Sequence, residues 1–161
     1  MTLRAMTADD LPDVLALEHV LFPDEAWSEQ AYREELADPG GTRHYVVIED
    51  DDGGFAGWAG LAAVGGQADV LTIGVRPELQ GRGFGARMLT ALLDEAAARG
   101  CLEVFLDVRA DNDRAMRLYE RFGFTPVGVR KRYYQPSGVD AIVMVRDSRW
   151  SGVPAGQEVG T

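Results

Sequence analysis

Three glycines, Gly81, Gly83 and Gly85, alternate with Arg82 and Phe84 between Gln80 and Ala86, directly ahead of a segment whose apolar residues recur every three or four positions. An apolar, largely β-branched run, Val70, Leu71, Ile73 and Val75, precedes them and ends at Arg76-Pro77. Strand, glycine loop and helix in that order make an anion site. Glycine lets the backbone approach a ligand closely, and the first N–H groups of the helix point outward at the positive end of its dipole. A phosphorylated cofactor is the expected ligand. Gly81, Gly83 and Ala86 also fit the dinucleotide pattern G-x-G-x-x-A, with Asp107 where a ribose-binding acid would sit. The context argues against it: residues 76–80 separate the strand from the first glycine, and too little chain follows for two βαβαβ halves.

Other residue types in the chain could do chemistry, and most have a plainer reading beside the active one. Asp107 lies near the end of the apolar run of residues 101–108, where a carboxylate could accept a proton, cap the following loop or bind Arg109. Tyr119 falls on the apolar stripe of its own helical segment and could be either a proton donor or a core aromatic. Phe22 and Trp27 flank a proline-interrupted loop as pocket walls or as core staples. Tyr133 and Tyr134 alternate along a strand, so at most one is expected to face a groove. The acidic run of residues 49–54 has Leu61 where a calcium loop needs its bidentate Glu, and reads as a hairpin turn. His19, His44 and Cys101 stand in no ligand-like cluster, so no metal site is expected.

The elements that must position these groups follow from periodicity and breakers. Residues 3–6 read as a first strand, and Thr7 to Asp10 supply caps for a helix with Leu11, Val14, Leu15 and Leu17 on one face; Pro12 is tolerable there only in the first turn. Ser28 caps a second helix that ends near Ala37. Residues 45–48 and 55–64 form antiparallel strands, and Gly65-Gly66 turns the chain into the strand from Val70. Phe84, Met88, Leu89, Leu92, Leu93 and Ala96 give the next helix one buried stripe, stopped by Gly100. The strand 101–108 then lies between two helices and requires a parallel crossover beside the Val70 strand. A helix from Asn112 or Asp113 carries Ala115, Leu118, Tyr119 and Phe122, and residues 124–129 and 139–145 pair as the last strands. The order β-α-α-β-β-β-α-β-α-β-β is that of a mixed α/β sheet.

At 161 residues and 46% hydrophobic content, the chain suits one domain, expected over residues 1–147, with residues 148–161 too poor in apolar groups for anything but a disordered tail. One cysteine rules out an internal disulfide, and neither a leader-like start nor an apolar run long enough to span a membrane is present, so a cytoplasmic protein without membrane contact is expected. A net charge of −10 argues against direct nucleic-acid binding and favours a cationic acceptor.

The segment Gln80-Gly81-Arg82-Gly83-Phe84-Gly85 fills the pattern Q/R-x-x-G-x-G/A and resembles the pyrophosphate loop of the GCN5-related N-acetyltransferases (the GNAT family), whose element order is the one above. Phe22-Pro23 with Trp27-Ser28-Glu29, the stretches 107–112 and 118–124, and Arg132-Tyr133-Tyr134 are similar to the bacterial ribosomal-protein-alanine N-acetyltransferases within that family. The resemblance covers residues 3–147. It implies acetyl-CoA as cosubstrate, held by Ile73, Gly74 and Val75 of the central strand, by Gly81, Arg82, Gly83, Phe84, Gly85 and Ala86 of the loop, and by Asn112. It implies a protein N-terminus as acceptor, with Phe22, Trp27, Tyr133 and Tyr134 as candidate acceptor contacts and Tyr119 as proton donor. The proton acceptor of that group is a Glu in L-E-V-R, and this chain has Leu106-Asp107-Val108-Arg109. Asp107 is one methylene shorter, which predicts action through an ordered water. Backbone N–H groups near Ile73 to Val75 are expected to serve the oxygen that becomes negative, through a splay of this strand from its parallel neighbour or a bulge in it, for which Gly74 is the candidate position. Acetylation of a lysine or a small amine, and non-catalytic acyl-CoA sensing, are the readings that compete.

Overall fold

The computed structural model describes residues 1–147; the expected tail, residues 148–161, lies outside the described residues. Its elements, in chain order, are β1 (Thr2–Ala5), a 3-10 turn (Ala8–Asp10), α1 (Leu11–Leu21), α2 (Glu29–Ala37), β2 (Arg43–Glu49), β3 (Phe55–Val64), β4 (Gln67–Val75), a second 3-10 turn (Pro77–Leu79), α3 (Phe84–Ala98), β5 (Glu103–Arg109), α4 (Asp113–Arg121), β6 (Thr125–Tyr134) and β7 (Val139–Asp147). Apart from the two short turns, this is the expected order. Local chemistry sets the helix starts: Pro12 falls in the first turn of α1, and Ser28 Oγ accepts from Ala31 N at 3.1 Å to cap α2.

One seven-stranded sheet runs β1-β2-β3-β4-β5-β7-β6, and only β4 and β5 are parallel. Each face covers a core. Leu11, Val14, Leu17 and Tyr32 of α1 and α2 pack with Trp58 and Val47, while Phe84, Met88, Leu89 and Leu92 of α3 pack with Tyr119, Phe124 and the other side of the strands.

Two irregularities shape the middle of the sheet. First, β3 and β4 change register where Gly60 pairs Thr72 but Leu61 pairs Val70, which leaves Leu71 as an extra residue. A one-residue slip exchanges the faces of a strand, so Ala68 and Val70 reach the α3 core before the bulge and Ile73 and Val75 reach it afterwards. The bulge is therefore at Leu71 and not at Gly74. Gly74 is required for another reason: a Cβ there would lie 2.3 Å from Cζ3 of the fully buried Trp58.

Second, the parallel ladder between β4 and β5 pairs only residues 67–69 with residues 103–105, although both strands continue well beyond it. The strands splay apart from Val70 onward. The splay leaves the β5-facing edge of β4 with backbone groups unused by the sheet.

Candidate functional site

The glycine loop sits at the wide end of this splay. Gln80 Nε2 donates to the Val75 carbonyl at 3.1 Å and ties the loop back to the end of β4. Gly83, at φ +93°, is the N-cap of α3, and a Cβ built there meets nothing within 4 Å. That conformation and that open space suit close approach by a bulky anion to the first N–H groups of the helix. A groove of about 730 Å³ runs from Ile73, Gly74 and Val75 along Gly81 and residues 83–86 to α4. Asn112 also borders it, with Oδ1 accepting from Ala115 N at 3.1 Å as the cap of α4. Arg82 is exposed and does not line this groove, whereas Arg114 and Arg117 of α4 do.

A second groove, of about 690 Å³, is built from side chains contributed by distant parts of the chain. Asp24, Glu25 and Trp27 come from the α1–α2 loop, Asp69 from β4, Asp107 from β5, and Arg130, Tyr133 and Tyr134 from β6. Both tyrosines line it, against the expectation that only one could. The reason is a register break in β6: Arg130 pairs Ala141 and Tyr134 pairs Val139, so four steps of β6 oppose two of β7, with Arg132 at φ +51° absorbing the excess. The rings then meet edge-on with centroids 5.1 Å apart. Trp27 also packs on Tyr32 at 5.1 Å, so it is both a core residue and a groove wall.

A cavity of about 70 Å³ joins the two grooves, and its walls include Phe22, Leu71, Thr72, Ile73, Asn112, Tyr119, Glu25, Asp107 and Tyr134. Phe22 therefore lies at the junction and on the loop side, edge-on to Trp58 at 6.3 Å, and does not line the second groove. Tyr119 is buried against Phe124, and desolvation together with the nearby Glu25 carboxyl pushes its hydroxyl up to about 12, so it stays protonated at neutral pH. Asp107 reaches the junction from β5, with Oδ1 accepting from Arg130 Nε at 3.2 Å; its partner is Arg130 and not Arg109.

Arg109 has another task. Its guanidinium holds Asp24 at 2.9 Å and Asp111 at 3.1 Å and lies 5.2 Å from the centre of the Tyr134 ring, clamping the α1–α2 loop to the end of β5 across 85 residues of chain. Glu18 of α1 anchors the same loop by accepting from Trp27 N at 3.1 Å.

Glu25, held in this loop, is the site residue that reading along the chain misses. Desolvation pushes its carboxyl up to about 7, with Arg109 opposing, and Oε2 is buried without a hydrogen-bond partner among the described residues. The only signal in the sequence was its place between the Phe22-Pro23 and Trp27-Ser28 segments. No cluster of His, Cys, Asp and Glu among the described residues could hold a metal ion, and no helix there is long and apolar enough to cross a membrane.

Set against known proteins, the profile of the acetyltransferase (GNAT) family matches residues 11–124. The N-alpha-acetyltransferase RimI of Mycobacterium tuberculosis is 44% identical over 153 residues, 92% of this chain and 93% of that protein. The [ribosomal protein bS18]-alanine N-acetyltransferase of Escherichia coli K12 is 33% identical over 147 residues, 89% of this chain and 95% of that protein. A crystal structure of the ribosomal-protein-S18-alanine N-acetyltransferase of Escherichia coli superposes with a TM-score of 0.79 at 28% identity, covering 99% of each chain.

Proposed function

This chain belongs to the GNAT family and is an acetyl-CoA-dependent N-acetyltransferase, and we propose that its acceptor is the α-amine of a protein N-terminus, the N-terminal alanine of a small-subunit ribosomal protein. The observation that carries this reading is the junction: a backbone-lined groove and an acidic, tyrosine-walled groove meet at one small cavity bordered by Tyr119 and two carboxylates. Two substrates entering from either side would meet there without a covalent enzyme intermediate.

Acetyl-CoA supplies the activated acetyl thioester when bound. The N–H groups at the start of α3, with Gly81, Gly83 and Gly85 leaving room, would hold its pyrophosphate, and the free edge of residues 73–75 would hold its pantetheine arm. Backbone N–H groups on that edge stabilise the oxygen that gains charge. Tyr119 stands over the junction as proton donor to the departing sulfur, and Asn112 borders the same groove. Trp27, Tyr133 and Tyr134 wall the acceptor groove, and Phe22 closes the junction. Asp107 and Arg130 contribute paired charges at its floor.

The α-amine is favoured over lysine on energetic grounds. With pKa values of about 7.8 and 10.4, deprotonation at pH 7 costs roughly 1 kcal/mol for an α-amine and roughly 4.6 kcal/mol for lysine. A site whose carboxylates are half-buried and partly committed to arginines suits the easier proton. Residues 1–147 are taken as one catalytic domain working in the cytoplasm. A peptide library beginning with each residue type, acetylated and mapped by mass spectrometry, tests the reading: preferential modification of small first residues at the α-nitrogen is expected, and faster modification of internal lysines would overturn it.

A further inference from the structure

We propose that Glu25, rather than Asp107, accepts the proton of the incoming α-ammonium. This inference rests on the acetyl-transfer reading above and concerns which carboxylate serves it.

Both carboxylates border the junction, and they differ in what already occupies them. Asp107 Oδ1 accepts a hydrogen bond from Arg130. Glu25 Oε2 is buried, bonded to nothing among the described residues, and in a cavity shared with Tyr119. Arg109, the cation whose charge acts on Glu25, is committed to Asp24 and Asp111, so its attraction lowers the affinity of Glu25 for a proton without taking the carboxylate as a partner. Around Glu25, Glu18 of α1, Asp24 and Asp111 favour its protonated form, the hydroxyls of Tyr119 and Tyr134 are near it, Asp107 borders the same cavity, and Asp69, Arg130 and Tyr133 line the groove beyond. The loop that presents it is fastened at three points: Glu25 N donates to the Phe22 carbonyl at 2.9 Å, Glu18 holds Trp27 N, and Arg109 holds Asp24. An unpartnered buried carboxyl on an otherwise fastened loop costs stability, and acceptance of a substrate proton gives it a use.

The proton balance is as follows. An α-ammonium entering from the acidic groove gives one proton to Glu25 Oε2, a transfer between groups of nearly equal affinity, about 7 and about 7.8. The nitrogen lone pair then bonds to the acetyl carbon and the carbon–sulfur bond breaks. The second amine proton passes to Tyr119 Oη as Tyr119 gives its own to sulfur. The products are the amide, the free thiol and protonated Glu25, which returns its proton to solvent.

The test compares Glu25→Gln, Glu25→Asp and Asp107→Asn in the full chain. Carboxyl ¹³C titration of the ligand-free protein should show one glutamate with a midpoint near 7 that is missing in Glu25→Gln. With an alanine-first peptide, Glu25→Gln should lower kcat/KM by about 100-fold at pH 6.5, with the loss shrinking above pH 8 as the amine deprotonates unaided. Glu25→Asp should recover part of that loss, and Asp107→Asn, which alters the wall of the acceptor groove, should lower kcat/KM by a factor that does not change with pH. A further readout separates a working carboxylate from a supporting one. The native carboxyl sits at about 7, above its ordinary 4.5, so the native state binds the proton more tightly than the unfolded chain and stability falls as pH rises from 4.5 to 7. Glu25→Gln should therefore be more resistant to urea than wild type at pH 8 and equal to it at pH 4.5, while being less active. A Glu25→Gln enzyme within threefold of wild type across this range, with Asp107→Asn carrying the low-pH loss, overturns the proposal. Failure of the α-amine reading shows separately, as a wild-type enzyme that acetylates another amine faster, and the same three variants then decide the proposal with that amine.

Discussion

The two grooves that meet at Tyr119 are about equal in volume, near 730 and 690 Å³, and are made of different materials. The cofactor groove is mostly backbone: a strand edge that the splay leaves unpaired, a loop whose glycines keep side chains away, and the first turn of α3. The acceptor groove is side chain: four carboxylates, one guanidinium and four aromatic side chains brought from loops and strands far apart in sequence. A backbone-made site has a geometry fixed by hydrogen bonds and tolerates little added volume. A side-chain-made site reads charge, and its parts respond to pH and salt.

That contrast predicts different ways to break each groove. The largest effect belongs where they meet. Tyr119→Phe should lower kcat by about 100-fold or more while leaving acetyl-CoA affinity within about twofold, because the hydroxyl is used only when sulfur leaves. Pre-steady-state acetylation with calorimetry of coenzyme A binding checks it; an equal loss of affinity would make Tyr119 a wall of the cofactor groove instead.

Next comes the loop. Gly83→Val places a branched side chain at φ +93° and in the space kept open for the ligand, a combined cost of about 2 kcal/mol, or about 30-fold in acetyl-CoA affinity. The peptide KM should barely move, and NAD should bind neither protein in the same calorimeter. Binding of NAD with coenzyme A inert would contradict the assignment of this groove.

Gly74→Ala probes the strand beneath both grooves. Its Cβ would meet the Trp58 ring at 2.3 Å, and Trp58 is fully buried, so a destabilisation of about 1–3 kcal/mol is expected in urea unfolding. A neutral result would mean that the ring can shift. The smallest effect belongs to the acceptor groove. For a peptide with basic residues near its N-terminus, KM should rise a few-fold between about 0.05 and 0.5 M salt, against little change for an acidic peptide. Salt-independent KM values for both would remove charge from the account of acceptor choice.

Residues close together in the chain announced what local physics controls. Gly81, Gly83 and Gly85 ahead of an amphipathic stripe can be read as an anion loop because backbone conformation and helix polarity are properties of adjacent residues. The same holds for the helix caps at Ser28 and Asn112, the early Pro12 and the order of the elements, and it was enough to indicate the family fold. The tertiary structure decided what depends on register and on distant partners. It put the bulge at Leu71 rather than Gly74, since the register of β3 on β4 is set by which side chains the two cores accept. It turned both Tyr133 and Tyr134 into one groove through a slip in β6 that strict alternation does not foresee. It gave Asp107 to Arg130, gave Arg109 to Asp24, and left Glu25 buried with an unpartnered oxygen. A carboxylate's chemistry is set by desolvation and by the charges around it, and those come from residues as distant in the chain as Arg109 is from Asp24, 85 positions, which only the folded chain assembles.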